Sequence, residues 1–150
     1  MGKSATMLIL ILLAQPVLIV RAEAAPSARV DVRAIAVLES GGNPLAYNAH
    51  EQAYGAFQIR QCVITDYNTA GPGRTHPLVL SDMYDPFISE VTADWYIYTA
   101  IPKYLQYYNI KDTVDNRLIA YNAGIGTLAS GRKIPALTRA YVRLYKELAR

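Results

Sequence analysis

Glu39 is the residue of this chain best placed for acid–base chemistry. It closes an apolar stretch of helical character over 30–38 and runs directly into Ser40-Gly41-Gly42-Asn43-Pro44. A carboxyl at a helix C-terminus meets the partial negative charge of unpaired carbonyls, which favours its protonated form. Apolar neighbours such as Val37 and Leu38 act in the same direction by stripping water from it. A carboxyl group held neutral near pH 7 can serve as a general acid. The competing reading is a solvated glutamate on a surface helix.

Three further segments are polar or aromatic where a packed core does not ask for it. Gly55-Ala56-Phe57-Gln58-Ile59 puts a glycine where backbone must approach something closely, and a glutamine among apolar residues. A buried glutamine needs partners for both ends of its amide, and a ligand's amide or hydroxyl groups can supply them. Ala120-Tyr121-Asn122-Ala123-Gly124 sets Tyr and Asn at a helix end before glycine. Tyr141 falls on the inner stripe of the last helix, where its hydroxyl also needs a partner. Each has a structural alternative: Gln58 as a loop clamp, Asn122 as a helix cap, Tyr141 as core. Cys62 precedes Val63 and Ile64 and reads as a buried, inert thiol, because neither His50 nor His76 carries a signature that would pair with it. No spaced His/Cys/Asp cluster is present, so neither a metal nor a cofactor is expected.

The elements that must position these residues fit one domain, given 150 residues. Residues 1–25 read as an export signal: Lys3 is the positive start, 7–20 is an apolar run, and Ala22-Glu23-Ala24 offers the small-x-small pattern before a cut. Gln15-Pro16 interrupts that run, which is short against the ~20 residues of a membrane span. A retained N-terminal anchor is the alternative. The expectation is cleavage near Ala24/Ala25, a domain over 26–150 with no stable membrane span after processing, and a periplasmic or secreted location. The single cysteine excludes an internal disulfide framework, so a core must hold the domain, and a 52% hydrophobic composition allows one. The formal charge is +3, with Arg132, Lys133, Arg139, Arg143, Lys146 and Arg150 crowding the end against Glu147 alone. Such a patch favours anionic partners, or is simply a solvated helix face. No nucleic-acid signature accompanies it, so an anionic envelope polymer is the expected partner and nucleic acid is not.

Helical patterns dominate. The first covers about 28–40, with Ser27 as its cap, Gly41 as its stop, and Val30, Ala34, Val37 and Leu38 on its apolar side. Turn residues fill 41–54, and 54–59 reads as a short strand or irregular edge. A brief helix covers 60–68, and 69–74 is loop. Asp85 caps the clearest long helix, with Pro86 in its first turn and a stripe of Phe87, Val91, Trp95, Tyr98 and Ile101. Pro102 ends or kinks it, with more helix to about Tyr108. Thr113 or Asp112 caps a helix that carries Val114, Leu118 and Tyr121 and stops at Gly124. The last helix, 135–150, buries Leu137, Tyr141, Leu144, Tyr145 and Leu148. The fold class is mostly α, with at most a small strand element.

Taken in order, the Glu39–Pro44, Gly55–Ile59 and Ala120–Gly124 segments, followed by Thr138-Arg139-Ala140-Tyr141-Val142, resemble the soluble lytic transglycosylase family, relatives of the goose-type lysozymes. The resemblance covers roughly 28–148. It implies a single lysozyme-like domain with a cleft for peptidoglycan glycan strands, and a monomer is expected. It implies that Glu39 is the only catalytic carboxylate. Glu39 would protonate the β-1,4 bond between N-acetylmuramic acid and N-acetylglucosamine, then take the proton of the muramic 6-hydroxyl as that oxygen closes onto C1 in a 1,6-anhydro ring. The 2-acetamido group would assist. Ser40, Gln58, Asn122 and Tyr141 would line the cleft, and Tyr121 would be substrate-facing or mainly structural. The family usually carries Leu-Met where this chain has Ala56-Phe57, so Phe57 is read as an altered sugar-stacking subsite. Two-carboxylate glycosidases need a second acid at a set distance. Glu51 and Asp66 are the nearest in sequence, and neither lies in a matched motif. Transglycosylation is therefore preferred. A lysozyme-type hydrolase, with Glu51 or Asp66 positioning water, and a non-catalytic peptidoglycan-binding protein are the alternatives.

Overall fold

The computed structural model describes residues 29–150. Ser27 and the expected export segment lie outside the described residues. Helix α1 (Val32–Ser40) starts not at residue 28 but after Asp31, whose carboxylate accepts from the Arg33 N–H at 2.9 Å. A two-residue hairpin follows, β1 (Tyr47–Asn48) antiparallel to β2 (Ala53–Tyr54), with Tyr47 opposite Tyr54. Then come α2 (Gln61–Ala70), two 3₁₀ turns at Pro72–Arg74 and Leu80–Tyr84, and α3 (Pro86–Trp95). Helix α4 (Ile101–Tyr107), α5 (Val114–Ala123), α6 (Ile125–Ala129) and α7 (Ala136–Leu148) complete a mostly α, lysozyme-like domain.

The caps explain most of these boundaries. Asp85 accepts from the Phe87 and Ile88 N–H groups, Pro86 occupies the first turn, and Thr113 Oγ1 accepts from Asn116 N–H. Pro102 does not end its helix. The turn before it, Tyr96–Ala100, widens into a π-helix that carries α3 into α4.

Ile35, Ile64, Met83, Ile97, Ile101, Leu105 and Leu118 form the centre of the core. Two inward faces differ from the expected ones. In α3 the buried residues are Ser89, Thr92 and Ala93, while Phe87 is 74% exposed and Val91 and Tyr98 also face outward. Small side chains let α3 approach α1 closely, and the π turn then rotates Tyr96, Ile97 and Ala100 inward. In α7, Thr138, Tyr141, Val142 and Tyr145 face α1 and α5, whereas Leu137, Leu144 and Leu148 are exposed. Cys62 is likewise exposed, because α2 turns Val63, Ile64 and Tyr67 inward.

Two polar ties hold α1 in place. Val30 N–H donates to Tyr98 Oη at 3.0 Å, and Asp31 N–H to Tyr145 Oη at 2.6 Å. Beneath Tyr98 lies Arg117, buried, its guanidinium carbon 5.5 Å from the ring centroid and its Nε and Nη2 on the two Asp112 oxygens at 2.6 and 2.7 Å. Among the described residues no helix is long and apolar enough to cross a membrane.

Candidate active site

Glu39 occupies the last turn of α1, and the chain leaves that helix abruptly. Gly41 adopts a left-handed conformation (φ 68°), and the Gly41 and Gly42 N–H groups return to the carbonyls of Val37 and Ala36 at 2.9 and 3.0 Å. That closure satisfies the helix-end carbonyls, and a β-branched residue there would be strained. Ser40 Oγ donates to Ala56 O at 2.8 Å, which ties the end of α1 to the segment 55–59. Gly55 (φ 73°) is needed there because a Cβ would collide with the Met83 carbonyl; the close approach expected from sequence is to the protein's own backbone.

These ties open a cleft of about 500 Å³ in which Glu39, Glu51, Gln58, Arg60, Asn122 and Thr138 come together. Glu39 is half-buried on its surface, yet its carboxyl is largely removed from water. Burial pushes its pKa from 4.5 up to about 7, opposed by the Tyr141 phenol and the Arg60 cation and slightly reinforced by the negative charge of Glu51. Burial, rather than Val37, is the cause, since Val37 is exposed. Tyr141 Oη is buried without a formed hydrogen bond among the described residues; it lies beside Glu39 as a near contact, and burial followed by the Glu39 charge raises the phenol well above its ordinary range.

The expected substrate residues divide into two groups. Gln58 lines the cleft in a left-handed conformation (φ 49°), its Nε2 donating to Gly55 O at 3.0 Å, so one end of the amide is held by its own loop. Asn122 lines it too, its Oδ1 accepting from Thr138 Oγ1 at 2.9 Å. Ser40 and Phe57 do not line the cleft, whereas Tyr121 does. The Ser40 hydroxyl is committed to Ala56, and Phe57 is 4% exposed in the core, so it offers no face to a sugar. Tyr121 donates from its buried hydroxyl to Phe57 O at 2.7 Å and also lines the cleft. Tyr141 is core and lies beside Glu39.

Two charged groups matter more than the motifs suggest. Asn48 Oδ1 accepts from the His50 and Glu51 N–H groups at 3.1 and 3.2 Å, which directs Glu51 to the cleft, where Arg60 Nη1 meets it at 3.5 Å. Arg60 also donates through Nη2 to Asn122 O at 3.2 Å and Tyr121 O at 3.5 Å. Its neighbour Ile59 is in the motif, but its partners are backbone carbonyls more than sixty residues away, which no sequence pattern announces. Asp66 accepts from Tyr104 Oη at 2.6 Å and is not a cleft residue, so only Glu51 of the two alternatives stands near Glu39. Among the described residues no group of three or more His, Cys, Asp or Glu is arranged to hold a metal.

A desolvated carboxyl with a raised pKa, facing amide side chains across an open groove in a helical domain, has the chemistry of a glycan-cleaving acid catalyst. The chain matches the family model of the transglycosylase SLT domain over residues 19–137, and it belongs to that family. With the family comes a general peptidoglycan lytic transglycosylase activity. The matched region includes Glu39, Gln58 and Asn122 and stops just before Thr138 and Tyr141. No curated protein and no solved structure matches the chain.

Proposed function

We propose that this protein is an exported, monomeric lytic transglycosylase of the periplasm or cell exterior that cleaves peptidoglycan between N-acetylmuramic acid and N-acetylglucosamine with Glu39 as its one catalytic group. Glu39 enters protonated and gives its proton to the bridging oxygen as the C1–O bond breaks. The 2-acetamido oxygen shields C1 from the opposite face. Glu39, now a carboxylate, takes the proton of the muramic 6-hydroxyl as that oxygen bonds to C1. The acid is restored, no water is consumed, and the products are a free 4-hydroxyl and a 1,6-anhydro end. A group that must donate and then accept near neutrality works best with a pKa close to the working pH.

The observation that carries this reading is the burial-raised pKa of Glu39, about 7, inside the cleft. Gln58 and Asn122 supply amide groups suited to the acetamido and hydroxyl groups of the sugars. Glu39→Gln keeps the shape but removes the proton donor, so turnover of isolated sacculi should vanish while glycan binding persists. Release of fragments at the wild-type rate by that variant would refute the assignment. The hydrolase reading has one observation in its favour, Glu51 in the same cleft. Its products would carry added water at the reducing end.

A further inference from the structure

We propose that Arg60 is a positioning residue for this reaction, a strut that ties the Asn122 wall of the cleft to the Glu51 wall. The proposal rests on the transglycosylase reading for its link to catalysis, and on geometry for the strut itself. Helix α5 ends at Gly124 with φ 81° and ψ 150°, a conformation that is not the left-handed cap closing α1. Its terminal carbonyls therefore depend on side chains. Thr127 Oγ1 donates to Ala123 O at 2.8 Å, and Arg60 Nη2 takes the carbonyls of Asn122 and Tyr121. The other arm of the same guanidinium meets Glu51 on the loop between the hairpin strands. One planar fork thus spans three acceptors on two walls, a task suited to arginine and beyond a lysine point charge. These contacts engage both terminal nitrogens of Arg60 with the cleft walls.

The charged and titratable groups facing Glu39 are Tyr141 from α7, Tyr121 from α5, Glu51 from the hairpin loop and Arg60 itself. Arg60 is the cation of that set, so its removal should also alter how Glu39 titrates.

The test uses Arg60→Met, Arg60→Lys and Glu51→Gln in the full chain. In the free protein, ¹³C NMR of the Glu39 carboxyl and of the Asn122 side-chain amide reports both effects without any need for activity. Arg60→Met should move the Glu39 titration to higher pH and shift the Asn122 amide resonances. Its kcat on sacculi should fall about 10–100-fold with KM little changed, as expected of a small misplacement. Arg60→Lys should return the titration to its wild-type position but recover only part of kcat. Glu51→Gln should move the Glu39 titration to lower pH and, with one arm of the fork released, lower kcat less than Arg60→Met does. Should Arg60→Met fail to fold, the lysine and Glu51 variants still decide. An unmoved Glu39 titration and Asn122 amide in Arg60→Met would overturn the proposal, as would wild-type kcat in Arg60→Lys. Absence of glycan cleavage by the wild type would refute the transglycosylase reading alone, since the NMR arms stand without it.

Discussion

Replacing Glu39 with glutamine should do more than stop chemistry: it should stabilise the fold, by an amount that grows as pH rises from about 4.5 and is complete above neutral pH. The folded-state pKa is raised from 4.5 to about 7, so folding favours the protonated carboxyl. Below pH 4.5 the group is protonated folded or unfolded and contributes no pH-dependent cost. As pH rises from 4.5 to 7 the unfolded chain ionises while the folded one resists, and stability falls; above 7 the loss is complete. At about 1.4 kcal/mol per pH unit, the gap between 4.5 and about 7 caps the effect at about 3.4 kcal/mol. Relaxation and water entry into the open cleft when the carboxyl ionises lower this to about 1.5–2.5 kcal/mol. Glu39→Gln removes the buried charge, so at pH 8 it should raise Tm by roughly 6–10 °C, taking about 4 °C per kcal/mol for a domain of this size. At pH 4 the same variant should melt within about 2 °C of wild type, since neither side chain is then charged. Thermal unfolding followed by circular dichroism at the two pH values gives the answer. An equal shift at both pH values, or a lower Tm at pH 8, would refute the claim that burial holds this carboxyl neutral.

Other substitutions probe other parts of the account. Tyr141→Phe removes a phenol that opposes the rise of the Glu39 pKa, so the alkaline limb of kcat/KM should move to higher pH. Stability should hardly change there, within about 1 kcal/mol, because the lost hydroxyl is buried without a partner. Gly55→Ala should cost about 2–4 kcal/mol in urea unfolding, from the left-handed backbone and the collision with Met83 O together. Asp112→Ala leaves Arg117 buried without its bidentate partner. Since Asp112 is itself partly exposed, the loss should be about 2–3 kcal/mol, below that of a fully buried pair.

The sequence carried the ends of the elements better than their faces. Gly41, the Asp85-Pro86 pair, Thr113 and Gly124 act through the local backbone, so their roles as stops and caps are readable from neighbours alone. Faces depend on what packs against them. Helix α3 turns Ser89, Thr92 and Ala93 inward because small residues admit a close neighbour, an outcome that a search for large apolar residues inverts. The π turn at 96–100 shifts the phase again. In α7 the buried set is displaced from the leucines to Thr138 and Val142, which leaves Leu137 on the cleft rim. That Glu39, Gln58 and Asn122 share a cleft was legible because Glu39 and Asn122 fall in the last turns of helices within their motifs and Gln58 in the turn before α2. Ser40 and Phe57 belong to the same motifs yet serve to hold backbone, and Cys62 is exposed where its apolar followers suggested burial. Arg60 was hidden because it works through distant main-chain carbonyls.

The mechanism makes its most direct statement about what happens to water. Wild-type digestion of purified sacculi, with the released muropeptides weighed by mass spectrometry, tests it. The account predicts 1,6-anhydro ends, lighter by one water than the hydrolytic products. Reducing ends that carry the added water, with anhydro ends absent, would contradict it and make Glu51 the group to examine.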